Sequence, residues 1–306
     1  MTESTPIFEI HISTKNRKDD LLQTLSSLEI LLERDDVTCV VFDDGSTDGT
    51  SEAVKNRFPK IILKRNDLSK GYMFCRNAML DQSNAQFAIS LDDDANFVSA
   101  DPLENISAYF ENNDKCGLVA FRIFWGKSLP CSIGTDEKPL QVNSYVGCGH
   151  AWRVSAWREI PSYPEWFEFY GEENFASQQL FKKGYEVHYV PQVLVQHRVE
   201  ILERRKQKDY AVRLRRSLRS GWYSYFLFLP WRKIPRKMAY STWSQLKFKV
   251  LKGDFRALKA LVQAKLDLLA STSKIFGNAN RMSSSEYERW VKIPEARIYW
   301  KPKNKL

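Results

Sequence analysis

The apolar and polar positions of this chain run in two alternating rhythms. Residues 7–13 form an apolar, β-prone run interrupted only by Glu9 and His11, and the run ends in the polar loop Thr14-Lys15-Asn16-Arg17. From residue 19 to 33 leucines fall at positions 21, 22, 25, 28, 31 and 32, which is the spacing of one helix face. The pattern then predicts a strand at 37–42, a helix at 48–57 capped by Ser46 or Thr47, and a strand at 61–63. A helix at 71–81 and a fourth strand at 87–91 follow. Strands alternating with helices over short loops imply right-handed βαβ units and a mostly parallel sheet.

Past residue 96 the rhythm changes. Residues 117–125 predict a strand, 126–142 a polar loop, and 147–152 a strand whose Gly147 and Gly149 permit a ligand to approach the backbone closely. Residues 161–169 are rich in proline and aromatics. Residues 172–183 predict a helix stopped by Gly184, and 185–195 a last pair of strands around Pro191. Beyond residue 200 the pattern is helical, with a break near 230–235 and a leucine-rich helix at 255–269.

Composition narrows the picture. At 306 residues, with 43% apolar and 27% charged positions, the chain can bury a sizeable core as one domain with an appendage. The formal net charge is +9, and the excess of Lys and Arg lies after residue 198, which points to an anionic partner or to a solvated helix face. Five cysteines without a CxxC pair read as reduced thiols in a cytoplasmic protein. No secretory leader is visible at the start, and no stretch approaches the roughly 18–20 apolar residues that cross a bilayer. Arg213, Arg215, Arg216 and Arg219 precede an aromatic run at 222–231, and Arg232, Lys233, Arg236 and Lys237 follow it. Such a segment suits the face of an anionic membrane or, equally, a helix packed on the main domain.

The chemistry concentrates in two acidic clusters. Asp43-Asp44-Gly45-Ser46-Thr47-Asp48-Gly49-Thr50 follows the second predicted strand, and Asp92-Asp93-Asp94-Ala95 follows the fourth. Ligands of open α/β sheets bind at the carboxyl ends of the strands, where both clusters fall. Adjacent aspartates repel one another unless a cation shares the site, and hard carboxylate oxygens suit Mg²⁺ or Mn²⁺ bridging to phosphates. Glu172 and Glu173 open the helix after Gly171, where the macrodipole alone favours acids. Trp152, Trp157, Tyr163, Trp166, Phe167, Phe169 and Tyr170 gather before that pair, as a sugar platform or as core.

Taken in order, the strand before Thr14-Lys15-Asn16-Arg17, then Asp-Asp-Gly-Ser, Leu-Asp-Asp-Asp-Ala, Gly-Glu-Glu and Gln-His-Arg resemble the family 2 glycosyltransferases of GT-A fold. The resemblance covers residues 7–198. It implies a Rossmann-like, mostly parallel α/β sheet flanked by helices, with a C-terminal helical extension. Residues 1–199 would be the catalytic domain (1–96 for the nucleotide, 97–199 for the acceptor) and 200–306 the basic extension. Thr14, Arg17, Asp44 and Arg76 would contact the nucleotide donor, with Thr14 and Asp44 at the base. Asp94 would bind Mn²⁺ or Mg²⁺ together with His197, with Asp92 as a further ligand. Asp92 or Asp93 would hold the ribose or the sugar. Glu173 would be the general base of an inverting transfer, with Glu172 its neighbour or alternate, and Trp166 an acceptor contact. The acceptor implied is a glycan or a lipid-linked molecule of cell-surface polysaccharide synthesis, reached by a cytoplasmic enzyme that touches the membrane from inside. The sequence departs from the family's pattern after the glutamate pair, where Asn174 to Gln179 lack the frequent later acid and arginine. A nucleotidyltransferase is disfavoured because the first loop holds no glycine. A non-catalytic nucleotide-sugar binder is disfavoured by the intact Asp94, Glu173 and His197, and a processive synthase by the missing spans and Gln-x-x-Arg-Trp motif.

Overall fold

The computed structural model describes residues 6–200 and 209–302. Strand β1 (Phe8–Thr14) leads through helices α1 (Lys18–Ser27) and α2 (Glu29–Leu32) to β2 (Val37–Asp43). Helix α3 (Thr50–Arg57), β3 (Ile62–Arg65), α4 (Tyr72–Gln82), β4 (Phe87–Asp92), β5 (Ala95–Phe97), α5 (Pro102–Glu111) and β6 (Cys116–Trp125) follow. Next come β7 (Leu140–Val142), β8 (Gly149–Arg153), α6 (Val154–Trp157), α7 (Glu172–Lys183) and β9 (Glu186–His197). The C-terminal helices are α8 (Tyr210–Phe228), α9 (Ile234–Phe248), α10 (Phe255–Ala270), α11 (Thr272–Gly277) and α12 (Ser284–Trp290).

One mixed sheet runs in the order β3-β2-β1-β4-β8-β6-β9-β5, with β7 beside the first half of β9. β3, β2, β1 and β4 are parallel, so Thr14, Asp43 and Asp92 all finish at one edge. β8 runs antiparallel between β4 and β6, and β6 pairs with β9 in parallel. The alternation of β1 and β4 fixes the two faces. Phe8, Ile10, Ile12, Phe87, Ile89 and Leu91 join Leu21, Leu25, Ile106 and Phe110 in one core, while Ala88 points into the other. That second core holds Met73, Trp152, Trp157, Phe175 and Leu180, and it takes Tyr223, Leu227 and Phe228 from α8.

Three sequence expectations change, and one of two open alternatives is decided. The helix over 19–33 breaks at Leu28. The Ser27 hydroxyl donates to the Thr24 carbonyl at 2.6 Å, and the Leu28 N–H turns to Leu25 instead, at 3.0 Å. Ser46 and Thr47 do not cap α3. The Asp48 carboxylate accepts from the Thr50 amide at 3.1 Å, while Ser46 and Thr47 tie to Asn16. The strand pair around Pro191 is one strand, β9. Its register with β6 jumps from Phe121–Val190 to Arg122–Leu194, and the bulge takes up the proline that cannot donate to a ladder. The aromatic run at 222–231 packs inward, with Trp222, Tyr223, Leu227 and Phe228 buried and only Trp231 largely exposed at its end.

The sequence reading also left β5 and α5 unassigned and placed β7 inside the polar loop at 126–142, whose last three residues pair with β9 instead. α5 buries Leu103, Ile106 and Phe110 at helical spacing behind Pro102 in the first turn. The chain beyond α12 returns to the sheet, where Trp300 donates to the Ile123 carbonyl and Trp125 Nε1 to the Ile298 carbonyl. Among the described residues no helix is long and apolar enough to cross a membrane.

Candidate functional site

A cleft of about 1140 Å³ opens over the carboxyl ends of β1, β2 and β4. Its walls include Thr14, Arg17, Asp44, Arg76, Asp92, Asp93, Asp94, Glu172, Glu173 and His197. The residues singled out by sequence therefore meet in one place, Trp166 excepted. Trp166 packs edge-on to Phe167 and against Tyr223 of α8. Phe169 and Tyr170 line the cleft in its stead.

The acidic turn after β4 is organised residue by residue. The β5–β9 pairing sets Ala95 opposite His197, which carries the imidazole to the aspartates. His197 Nε2 lies 2.9 Å from Asp94 Oδ1 and 3.8 Å from Asp92 Oδ2, and these three side chains place ligand atoms within 4.8 Å of one another. An octahedral ion with bonds of about 2.1 Å spaces its ligands roughly 3–4 Å apart, so two carboxylates and one imidazole in this array fit Mn²⁺ or Mg²⁺. Asp93 points away from that group. It accepts from Thr14 Oγ1 at 2.8 Å and pairs with Arg17 Nε at 3.2 Å. Burial and the neighbouring Asp94 push the Asp93 carboxyl up to about 7, against the pull of Arg17. Burial also opposes the charge on Asp94, but His197 and Arg17 outweigh it and hold that carboxyl below the ordinary range. Arg17 reaches Asp94 Oδ2 at 2.7 Å, so one guanidinium balances two buried acids. Arg198 fixes the turn from behind, donating to Asn96 Oδ1 and Thr24 Oγ1 at 2.7 Å each.

Asp44 is fully engaged within the protein. It accepts from Asn66 Nδ2, Ser69 Oγ and the amides of Lys70 and Gly71, all within 2.6–2.9 Å. Burial opposes its charge, but these donors hold its carboxyl low. Asp44 thus folds the 66–71 loop into the cleft wall.

Arg76 stands between the aspartates and the glutamates. Its Nη2 donates to Asp92 Oδ1 at 2.7 Å and to the Gly147 carbonyl at 2.9 Å. Gly147 leaves both side chains where they are, since a Cβ there would lie 2.9 Å from Glu173 Oε1 and 3.4 Å from Arg76 Nη1 and the carboxylate would have to turn aside. The close contact at Gly147 is with protein side chains. At Gly149 a Cβ would meet the core residues Ile123, Phe121 and Val195.

Glu172 and Glu173 begin α7, with Glu172 buried and Glu173 half-buried at the cleft wall. Burial raises both carboxyls; the charge of Glu173 pushes Glu172 up further, while the hydrogen bond from Glu172 pulls Glu173 down. Glu172 rises well above the ordinary range, and the Tyr72 hydroxyl donates to its Oε1. Glu173 faces Arg76, which draws it back down. Of the two, Glu172 is pushed up further and Glu173 is the more readily ionised.

The turn before this pair is strained and clamped. Glu168 (φ 64°), Tyr170 (φ 71°) and Gly171 (φ 91°) all have positive φ. α8 grips the turn from the C-terminal side. The buried Arg219 donates to the Phe167 carbonyl at 2.7 Å, pairs with Glu168 at 2.9 Å and lies 3.5 Å from Asp267 of α10. Ser220 Oγ donates to the Phe169 carbonyl at 3.4 Å. Sequence reasoning missed Tyr72 and Ser220; it marked Gly147 for the approach of a ligand and Arg219 as part of a basic cluster, and neither for the contact it makes here.

Comparisons with known proteins fit this geometry. Residues 9–130 match the family model for glycosyl transferase family 2, a segment that contains Asp44, Arg76 and the three aspartates. No curated protein matches the chain by sequence. Among solved structures, the mannosyltransferase PcManGT from Pyrobaculum calidifontis, in complex with GDP-Man and Mn²⁺, aligns at TM-score 0.55 and 16% identity, over 94% of this chain and 79% of that one. GalNAc-T7 with UDP, GalNAc and Mn²⁺ aligns at TM-score 0.60 and 14% identity, over 83% of this chain and 54% of that one. S. aureus TarS aligns at TM-score 0.52 and 17% identity, over 68% and 38%. The chain thus spans about half the length of GalNAc-T7 and a smaller share of TarS. At these identities the structural likeness speaks for the fold, a GT-A α/β sheet. The family match covers less than half of the chain, and it says what residues 9–130 resemble.

Proposed function

We propose that this protein is a family 2 glycosyltransferase, an inverting, metal-dependent enzyme that moves one sugar from a nucleotide-diphosphate sugar to a hydroxyl of a glycan or lipid-linked acceptor. The observation that carries the reading is the single cleft that holds Asp92, Asp94 and His197 on one side of Arg76 and the half-buried Glu173 on the other. The two neighbours whose structures contain Mn²⁺ with a nucleotide sugar or nucleotide support the same assignment.

Asp92, Asp94 and His197 would hold Mn²⁺ or Mg²⁺, which supplies charge to the donor's diphosphate when bound. Arg17, released from Asp94, faces the same phosphates. Thr14 and the loop folded by Asp44 form the pocket for the base, and Asp92 or Asp93 reaches the ribose or sugar. Glu173, the more readily ionised of the pair and drawn down by Arg76, removes the acceptor hydroxyl's proton. The hydroxyl oxygen then bonds to the anomeric carbon as its bond to the β-phosphate oxygen breaks, and the electron pair leaves on the diphosphate. A single displacement of this kind inverts the anomeric centre. Phe169 and Tyr170, rather than Trp166, offer the sugar-stacking surface on the acceptor side.

Thermal unfolding with a panel of nucleoside diphosphates, with and without Mn²⁺ or Mg²⁺, tests the donor site. A ligand that binds only the folded state raises the melting temperature, by about 2.7 kcal/mol of stability at a hundredfold excess over Kd. One nucleotide is expected to stabilise the protein only with metal, and Asp94→Ala to abolish the effect. No metal-dependent shift with any nucleotide would overturn the reading. The product's anomeric configuration, read by NMR, tests inversion separately.

A further inference from the structure

The C-terminal helices carry a surface that the transfer reaction does not use. α10 buries Ala257, Ala260, Leu261 and Ala264 and packs against α8. Its opposite side should then be polar, as on any surface helix. Instead Phe255, Leu258, Val262, Leu266 and Leu269 recur there at helical spacing, all exposed, with Phe255 at 74% and Leu269 at 71%. The stripe continues into the turn before α10, where Leu251 is 73% exposed, and α9 adds exposed Trp243 and Phe248. Large apolar side chains grouped in this way on a folded protein mark an interaction surface.

Charge says what the surface meets. Residues 231–276 hold eleven Lys and Arg against Asp254 and Asp267, so this segment alone carries the chain's whole formal charge of +9. Both acids are engaged, Asp254 capping α10 and Asp267 held by Arg215 and Arg219. Lys252, Arg256, Lys259 and Lys265 stand exposed among the apolar residues. A second copy of the chain would set like charge against like charge on this face. An apolar interior edged by anions accepts both features, with the large side chains entering it and the cations resting on its headgroups.

We propose that the α9–α10 face docks the protein onto an anionic lipid bilayer, lying along its surface. The inference gives a purpose to the lipid-linked acceptor named above, but its test needs no donor and no turnover. Co-sedimentation of the full chain with vesicles of phosphatidylcholine alone, and of phosphatidylcholine mixed with phosphatidylglycerol, reads it directly. Binding is expected to be about tenfold tighter or more on the anionic vesicles and to weaken with salt. The triple variant Leu251→Ser, Phe255→Ser, Leu266→Ser, whose sites are all exposed, should keep its melting temperature and lose the binding. Lys259→Glu with Lys265→Glu should lose the preference for phosphatidylglycerol. No binding to anionic vesicles, or binding unchanged in both variants, would overturn the proposal. So would a concentration-dependent dimer that the triple variant abolishes, which would give the face to a second copy. Any of these results would leave the donor-site reading untouched.

Discussion

Replacing Arg219 by alanine should slow turnover while leaving the donor site intact. Arg219 lies about fifty residues beyond the glutamate pair in sequence, yet it is buried against the turn that leads into them. Its charged hydrogen bond to the Phe167 carbonyl is worth roughly 1.5–3 kcal/mol. The pair with Glu168 adds at most about 1 kcal/mol, because that carboxylate is 56% exposed. Asp267 keeps Arg215, bound at 2.6 Å, so the larger penalty for stranding a buried charge does not apply. The total is about 2–4 kcal/mol. The strain it opposes is similar, since two non-glycine residues at positive φ cost about 1–3 kcal/mol each. Without Arg219 the turn can relax, and Glu172 and Glu173 move with it. For a chain of 306 residues, with an unfolding entropy near 0.6 kcal/mol/K, the melting temperature should fall by about 3–6 °C. Initial rates of nucleoside diphosphate release should show kcat down about tenfold or more, at about 1.4 kcal/mol per decade. The donor KM should stay within about twofold, because no residue of the aspartate cluster touches Arg219. Arg219→Lys keeps the charge but not the fork, and should fall between the two. A drop in kcat no larger than the loss of folded protein, or a rise in donor KM without a change in kcat, would refute the coupling.

Two further perturbations probe the glutamate pair. Glu172→Gln should stabilise the protein more at about pH 8 than at about pH 5. The folded carboxyl sits above its unfolded value near 4.3, so its contribution is complete below that pH and is lost as pH rises toward the raised value, by up to about 1.4 kcal/mol per pH unit; parallel melting curves for the two proteins across this range would contradict the assignment. Gly147→Ala places a Cβ 2.9 Å from Glu173 Oε1, so the flexible carboxylate must turn aside; stability should change by less than about 1 kcal/mol while kcat falls about tenfold, with nucleotide binding in a calorimeter unchanged, and a kcat equal to the wild type would show that the position of Glu173 is not critical.

The acidic side of the cleft was legible in the sequence because each of its parts is local. A β-prone run followed at once by Asp43-Asp44 or Asp92-Asp93-Asp94 states both the strand and where its acids emerge, and β1, β2 and β4 fall within a residue of their predicted bounds. Even there the side chains divide the work in a way no spacing shows. Asp93 turns to Thr14 and Arg17, Asp44 spends its oxygens on the 66–71 loop, and His197 joins Asp94 only through the β5–β9 ladder. The glutamate side is built from contacts between distant positions. Tyr72 bonds Glu172 across a hundred residues, and Arg219 and Ser220 hold the backbone of a turn about fifty residues earlier. A side chain that donates to a backbone carbonyl leaves no periodicity to read, and a strained turn such as Glu168 to Gly171 runs against local preference. Trp166 shows the limit from the other direction, since an aromatic beside a catalytic pair looks like a sugar platform until a helix from beyond the sheet supplies Tyr223 to cover it. On the proposed function, this split has a chemical sense. The diphosphate end of the donor is common to many transfers and can be held by short local motifs. The acceptor varies, and its side of the cleft rests on the C-terminal helices, where substitutions can reposition the Glu168–Gly171 turn without touching the metal ligands.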